Sequence, residues 1–190
     1  MTFEELREKD SQYVVQSYGR NPIAIDHGEG AVLYGADGKE YIDFASGIGV
    51  LSVGTANPKW AAAVAAQAGK LAHVSNLYYS EPYIKLAEKL CTRSGMAAAF
   101  FGNSGAEGNE GVIKLARKYS WEKYGEGRGT VITLNRSFHG RTITTLAATG
   151  QDVFHQYFFP FTEGFRRADP TIDSVQQAAG HDVCAVLVEL

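Results

Sequence analysis

The second half of the sequence alternates between apolar runs and amphipathic segments, and this alternation constrains the fold more than any other feature. Residues 97–101, 130–134 and 183–190 are apolar runs of strand length. Between them, residues 104–124 show helical periodicity, and shorter helices are predicted at 142–148 and 172–179. Runs that are apolar throughout are typical of parallel strands buried on both faces. The alternation therefore predicts an α/β fold with a mostly parallel sheet and flanking helices.

The first part of the chain predicts smaller elements. Thr2 and Glu5 have the spacing of a capping box, which opens a helix that extends to about residue 16. The other predicted elements are a hairpin of residues 31–34 and 40–44 turned at Asp37-Gly38, a glycine-rich stretch at 47–54, and helices at 58–71 and 80–92.

Composition favours an ordinary soluble globular protein. Hydrophobic residues make up 45% and charged residues 21% of the chain. The net charge of −3, with scattered lysines and arginines, argues against a nucleic-acid partner. The N-terminus has no apolar signal core, and residues 183–188 are too few to span a bilayer. We therefore expect a cytoplasmic protein that has no membrane partner and no metal site. We also expect no disulfide, because the two cysteines, Cys91 and Cys184, both lie in apolar contexts.

The sharpest local signal is Phe-Gly-Asn-Ser-Gly-Ala-Glu at residues 101–107, between a predicted strand and a predicted helix. Ser104 and Glu107 can form a capping box, and Gly105 leaves the backbone N–H groups approachable. Such a helix N-terminus suits a phosphate. The alternative is a well-capped helix that binds nothing. The segment is neither a Walker loop nor a GxGxxG fingerprint.

A second segment, Ser-Phe-His-Gly-Arg-Thr at residues 137–142, follows the next predicted strand. Ligands of open α/β sheets bind at the carboxyl ends of the strands. There, Phe138 can stack on a flat ring, and Arg141 can bind a carboxylate through two parallel hydrogen bonds. Without a ligand, the same residues would be a buried phenylalanine, a hydrogen-bonded core histidine and a surface arginine.

A third segment, Ser-Asn-Leu-Tyr-Tyr at residues 75–79, lies between two predicted helices. Its polar and aromatic side chains can line a pocket, or they can simply anchor the loop to the core.

Together these segments resemble successive motifs of the class III aminotransferases, in that family's order and over nearly the whole chain. Within the class, residues 47–50 and 75–79 look most like the acetylornithine aminotransferases, whereas ornithine aminotransferases usually carry tyrosine where Ile48 stands. Residues 137–142 are shared with the ornithine and 4-aminobutyrate enzymes. The segments that carry the resemblance are residues 41–50, 75–79, 100–117, 137–142 and 185–190.

The resemblance implies a pyridoxal-phosphate (PLP) transferase of fold type I. Residues 1–57 would belong to the small domain, and residues 58–190 would be the first part of the PLP-binding large domain, ending at a core strand. It also implies a homodimeric enzyme of arginine biosynthesis that uses pyridoxal 5'-phosphate to move the amino group of N-acetylornithine to 2-oxoglutarate. Ornithine and 4-aminobutyrate remain alternative donors.

The resemblance also implies roles for individual residues. The PLP phosphate would be held by Ser104, Gly105 and Ala106, while Phe138 would stack on the pyridine ring. Arg141 would bind the α-carboxylate of the substrate. The remaining implied contacts are Ile48, Asn76 and Tyr79, which would line the substrate pocket partly across a dimer interface, and Glu189, which would lie near the cofactor.

The sequence departs from the family at two places. Residues 54–58, Gly-Thr-Ala-Asn-Pro, lack both histidines of the usual Gly-His-x-His-Pro. The family's Schiff-base lysine and pyridine-nitrogen aspartate lie beyond the last strand of this chain, so the chain contains no catalytic residue of its own. We therefore expect an inactive N-terminal fragment; the alternative is a non-catalytic remnant that acts as a ligand-binding or interaction module.

Overall fold

The computed structural model describes residues 1–189, which form two compact units, residues 1–80 and residues 81 onward. Each unit has its own sheet, antiparallel in the first and parallel in the second. The domain boundary that the sequence predicts after residue 57 stays a prediction. Among the residues described, no helix has the length and apolar character needed to cross a membrane.

The first unit opens with helix α1 (Phe3–Tyr13), and the predicted capping box is confirmed. The hydroxyl of Thr2 accepts a hydrogen bond from the Glu5 N–H at 3.2 Å, and the Glu5 carboxylate accepts one from the Thr2 N–H at 3.0 Å. These bonds satisfy two N–H groups that have no partner within a helix. The helix ends before residue 16, because Val14 has an extended backbone.

A three-stranded antiparallel sheet follows, in the order β1 (Ile25–Glu29), β2 (Val32–Gly35) and β3 (Glu40–Ile42). The predicted hairpin is therefore confirmed, and Gly38 supplies the positive φ, 79°, that its turn requires. Strand β1 was not predicted, since Asp26, His27 and Glu29 give it a polar sequence. It lies at the edge of the sheet, where such residues remain exposed to water.

The glycine-rich stretch forms a four-residue turn, α2 (Ser46–Gly49), that is left-handed throughout. The four φ angles are 47°, 63°, 62° and 79°. Two hydrogen bonds to the Asp43 carboxylate stabilise the start of the turn. The backbone N–H groups of Ala45 and Ser46 donate to it at 2.9 and 2.8 Å. Ile48 is β-branched, and such a residue in left-handed backbone stores of the order of 1–3 kcal/mol.

Several of the helices that complete the chain begin at a side-chain cap. In the first unit, α3 (Pro58–Lys70) starts after Asn57, whose side chain accepts the N–H groups of Lys59 and Trp60, and a 3₁₀ turn occupies Ser75–Leu77. The helices of the second unit are α4 (Glu81–Ser94), α5 (Gly105–Tyr124), α6 (Ile143–Ala148) and α7 (Ile172–Ala178), with a 3₁₀ turn at Asp152–His155. All of the predicted helices are confirmed within a few residues at their ends.

The sheet of the second unit consists of three parallel strands, β4 (Thr130–Leu134), β5 (Phe165–Ala168) and β6 (Val183–Leu187). Strand β4 lies in the middle, and its Val131 and Ile132 are almost completely buried. Parallel strands bring their carboxyl ends to one edge of the sheet, so residues 135–138 after β4 and 188–189 after β6 share that edge. The predicted α/β architecture is confirmed.

Two strand predictions need correction. Residues 97–101 form no strand in the described part of the chain, and Phe100 is exposed; an apolar run becomes a strand only where a neighbour accepts its hydrogen bonds. The predicted strand at 183–190 ends at Leu187, and residue 190 lies outside the described residues.

Strand β5 was missed, because it contains two arginines. Arg166 forms an ion pair with Asp182 at 2.8 Å and Arg167 one with Asp152 at 2.6 Å. These partners are distant in sequence, so the propensity of the segment alone does not reveal the strand.

Candidate functional site

The N-terminus of α5 presents backbone N–H groups at the surface. Ser104 is the N-cap, and its hydroxyl accepts the Glu107 N–H at 3.2 Å. Ser104 and Gly105 are exposed, and Ala106 is half-buried. The first N–H groups of a helix have no partner within it and carry partial positive charge, so this turn can bind an anion.

The predicted capping box at this helix is only half formed. The Glu107 carboxylate accepts chiefly from Asn103 rather than from the Ser104 N–H: one oxygen accepts the Asn103 backbone N–H, and the other accepts the Asn103 side chain at 3.2 Å. These hydrogen bonds favour the charged carboxylate and lower the pKa of Glu107. The Glu107 carboxylate is thus held against Asn103, the residue before the N-cap, beside the exposed first turn of α5.

The loop after β4 packs directly on this turn. Gly140 has a φ of 127°, and a Cβ atom there would lie 2.7 Å from the Cβ of Ala106 and 2.6 Å from the hydroxyl of Thr145. Only glycine permits both this backbone and this approach. The structure therefore brings together two segments that the sequence predicts as parts of one site, residues 104–106 and residues 138–141.

Phe138 has a partly exposed ring at the carboxyl edge of the sheet. The residue is 38% exposed, and its ring meets that of Phe154 edge-on at a centroid distance of 5.6 Å. Its backbone N–H donates to the Glu189 carboxylate at 2.8 Å. Because Phe138 is partly exposed, its ring can contact a flat ligand.

His139 is buried, but its ring is not the fully hydrogen-bonded core histidine of the non-functional alternative. Its Nε2 has no partner among the described residues, although its backbone N–H donates to Thr149 at 3.1 Å. Burial lowers the pKa of His139, and the nearby Glu189 carboxylate opposes that shift. The imidazole is consequently biased towards its neutral form.

Arg141 is exposed and lies between Gly140 and Thr142, the N-cap of α6. The residues on both sides fix the backbone of Arg141, because Gly140 contacts α5 and Thr142 is the N-cap of α6. A guanidinium here is close in sequence to the stacking ring of Phe138, so one short loop carries both groups.

Three of the predicted site residues belong to the first unit. Ile48 is 95% exposed in the left-handed turn, Asn76 lies in the exposed 3₁₀ turn, and Tyr79 is 93% exposed after it. Exposed apolar side chains on strained or irregular backbone suit a contact surface. Their role in lining a substrate pocket stays a prediction.

Asn109 and Glu110 were not predicted, yet both bind the loop. The Asn109 amide donates to the carbonyl of His139 at 2.8 Å, and the Glu110 carboxylate accepts the Thr142 hydroxyl at 2.5 Å. A signal was available, because both lie three and four residues after Ala106 and thus on the same side of the helix. Polar residues on a face that packs against the protein usually have partners there.

Comparison with known proteins identifies the family of this chain. The aminotransferase class-III family model matches residues 13–190. The acetylornithine aminotransferase of Haemophilus ducreyi is 50% identical over 192 residues, covering 100% of this chain and 49% of the relative. That of Wolinella succinogenes is 52% identical over 183 residues, covering 95% and 46%. The chain thus spans about half the length of the curated relatives it matches.

Solved structures of aminotransferases also superpose on this chain. The ornithine aminotransferase from Toxoplasma gondii ME49 superposes with a TM-score of 0.91 at 30% identity, over 98% of this chain and 45% of the other. Another structure of that enzyme, described as having partial occupancy of PLP at its active site, gives 0.93. A Bacillus anthracis aminotransferase gives 0.82 at 35% identity, over 88% and 38%. Since the family model matches nearly the whole sequence and the fold matches solved aminotransferases, this chain belongs to the class III aminotransferases, which are PLP-dependent enzymes.

Proposed function

We propose that this chain is the front part of an enzyme that transfers the amino group of N-acetylornithine to 2-oxoglutarate. The observation that carries the proposal is the contact between Gly140 and Ala106, which joins the arginine-bearing loop to the exposed helix N-terminus. An anion site, an aromatic face and a guanidinium then come from adjacent segments. The names of the curated relatives support N-acetylornithine as the donor.

The residues present fit a phosphorylated cofactor. Ser104, Gly105 and Ala106 would hold the phosphate of pyridoxal 5'-phosphate through a hydroxyl and the exposed N–H groups. When bound, this cofactor supplies the electron sink for amino-group transfer. Phe138 would cover one face of its ring, and Glu189 would hold the Phe138 backbone in place from the neighbouring strand.

The substrate would be oriented by Arg141. A planar guanidinium matches the geometry of a carboxylate, and guanidinium groups do not give up a proton in proteins. Arg141 would therefore bind the α-carboxylate and take no part in proton transfer. Ile48, Asn76 and Tyr79 would line the remainder of the pocket, partly across the interface of a homodimer. The catalytic lysine and the acidic partner of the pyridine nitrogen would come from residues outside this chain, in a cytoplasmic enzyme of arginine biosynthesis.

Ornithine is the second candidate donor, because the Toxoplasma neighbours are ornithine aminotransferases. The test is a donor panel on the full-length protein that carries this chain. N-acetylornithine, ornithine and 4-aminobutyrate are each supplied with 2-oxoglutarate, and glutamate formation is followed. We expect the highest kcat/KM with N-acetylornithine; a preference for ornithine would replace the donor, and turnover with none of them would contradict the proposal.

The DNA after codon 190 provides a simpler check. An open frame that continues with the aspartate and lysine motifs supports an enzyme, whereas a stop codon supports a non-catalytic remnant.

A further inference from the structure

Two side chains of α5 hold the loop on either side of Arg141. Before the arginine, the Asn109 amide donates to the His139 carbonyl at 2.8 Å. After it, the Thr142 hydroxyl donates to the Glu110 carboxylate at 2.5 Å. Both contacts are partly buried and join residues at least thirty positions apart in sequence. The loop segment that carries the guanidinium is therefore fixed at both ends by consecutive residues of one helix.

The Glu110 contact is the stronger of the two. A hydroxyl that donates to a carboxylate at this distance forms a charge-assisted hydrogen bond. The Thr142 oxygen lies 2.7 Å from the Thr145 hydroxyl, and the Thr145 hydroxyl also accepts the Thr142 N–H at 3.1 Å. Since Thr142 gives its only proton to Glu110, the Thr145 hydroxyl donates to Thr142. Glu110 thus terminates the hydrogen-bond chain that caps α6.

The Asn109 contact has a steric counterpart one helical turn earlier. Gly140 lies against Ala106, three residues before Asn109 on the same side of α5. Residues 106, 109 and 110 therefore meet residues 140, 139 and 142 respectively. Ile113, the next residue on this side, is buried and anchors the helix in the core. The loop is thus held against helix α5, which is itself anchored in the core.

We propose that Asn109 and Glu110 are positioning residues that set the location of the Arg141 guanidinium relative to the anion-binding turn. The inference rests on the proposed function, in which Arg141 binds the substrate carboxylate. Neither side chain touches the substrate. Loss of either contact lets the loop move away from α5, and the carboxylate is then bound in fewer productive orientations.

The first test compares three variants of the full-length holoenzyme by steady-state kinetics. For Glu110→Ala we expect the KM for the amino donor to rise about tenfold, with a smaller change in kcat. Glu110→Gln keeps an oxygen that accepts from Thr142, so its KM should stay within about threefold of wild type. Glu122→Ala is the matched control, because Glu122 is an exposed glutamate near the far end of the same helix.

The second test measures amide hydrogen exchange and needs no activity. In Glu110→Ala and Asn109→Ala, peptides that contain residues 138–142 should exchange faster than in wild type, whereas those containing residues 130–134 should not change. Faster exchange in both sets would show general destabilisation and overturn the inference, as would an unchanged loop. If wild type transfers no amino group, the proposed function fails while the exchange result still decides the loop contact. A raised KM in Arg141→Lys with an unchanged KM in Glu110→Ala would overturn the positioning role alone.

Discussion

The backbone N–H of Phe138 donates a hydrogen bond to Oε2 of Glu189 at a distance of 2.8 Å. Phe138 follows β4 and Glu189 follows β6, so the bond joins the carboxyl ends of two adjacent parallel strands. The bond fixes the backbone of the residue whose ring would stack on the cofactor. It gives Glu189 a structural task that the resemblance to the family left undefined.

Replacement of Glu189 tests this task. We expect Glu189→Ala in the full-length enzyme to weaken cofactor binding by about threefold to tenfold, since the net contribution of a typical intramolecular hydrogen bond is about 1 kcal/mol. Glu189→Gln retains an acceptor oxygen and should bind the cofactor almost as wild type does. Titration of the apoenzyme, followed by visible absorbance, measures both. Equal losses in the two variants would point to the charge of Glu189 rather than to its bond with Phe138.

Replacement of Arg141 tests the carboxylate clamp. Lysine keeps the charge but loses the planar fork, so Arg141→Lys should raise the KM for the amino donor by at least about tenfold. Cofactor content should change little, because in the proposed site the phosphate would be held by residues 104–106. Steady-state kinetics and visible absorbance separate the two effects. If Arg141 were an ordinary surface arginine, its replacement would change the free energy of donor or cofactor binding by no more than about 0.5 kcal/mol.

The contact of Gly140 with α5 predicts a large effect from a single methyl group. Gly140→Ala places a Cβ 2.7 Å from that of Ala106 and strains a backbone with φ of 127°. Overpacking alone typically costs about 1–3 kcal/mol, so we expect the free energy of unfolding to fall by at least about 2 kcal/mol. Gly108→Ala is the control, because nothing lies within 4 Å of its added methyl group. Chemical denaturation of both full-length variants provides the comparison, and equal stabilities would contradict the close approach.

His139 makes stability depend on pH. Burial lowers its pKa below the ordinary 6.5 in the folded protein, so below 6.5 the unfolded chain binds a proton that the folded chain does not. The contribution of His139 is therefore fully present above pH 6.5 and declines as the pH falls towards the lowered value. We expect His139→Leu to flatten the stability profile in that window, as measured by denaturant unfolding at several pH values. Parallel profiles for wild type and variant would show that His139 does not titrate in this way.

The chain by itself should be catalytically silent. We expect purified residues 1–190 to show no turnover with N-acetylornithine and 2-oxoglutarate. Amino-group transfer needs a lysine to carry the cofactor and move a proton, and the matching motif is not in this sequence. Borohydride reduction with PLP, followed by peptide mass spectrometry, tests for such a lysine. A stoichiometric adduct at one lysine would refute the expectation.

Features that depend on neighbours in sequence were predictable. The cap at Thr2 involves Glu5, three positions away, so its pattern is legible in a single sequence. The buried strand β4 is apolar throughout and was likewise predicted. The adjacency of residues 104–106 and 138–141 was predicted from the rule that ligand-binding loops gather at the carboxyl ends of parallel strands, although residues 97–101, one of the two strands on which that prediction relied, form no strand among the described residues.

Features that depend on distant partners were not predictable. Strand β5 is stabilised in part by the ion pair of Arg166 with Asp182, and its charges hid it. Residues 97–101 have a strand-like sequence without a strand partner among the described residues. Asn109 was missed because its acceptor, the His139 carbonyl, is thirty residues away. Half of the expected Ser104 box is absent because Asn103 competes for the Glu107 carboxylate.

The contact of Gly140 with Ala106 has a consequence for enzyme engineering. It leaves no space for one additional methyl group, so a larger residue at position 140 would force the loop away from the helix. Attempts to alter donor choice should therefore leave this contact intact, and position 48, which we propose lines the substrate pocket, is a suitable place for a library. Glycine or asparagine would relax the left-handed backbone there, so that changes of specificity at this position start with a gain in stability rather than a loss.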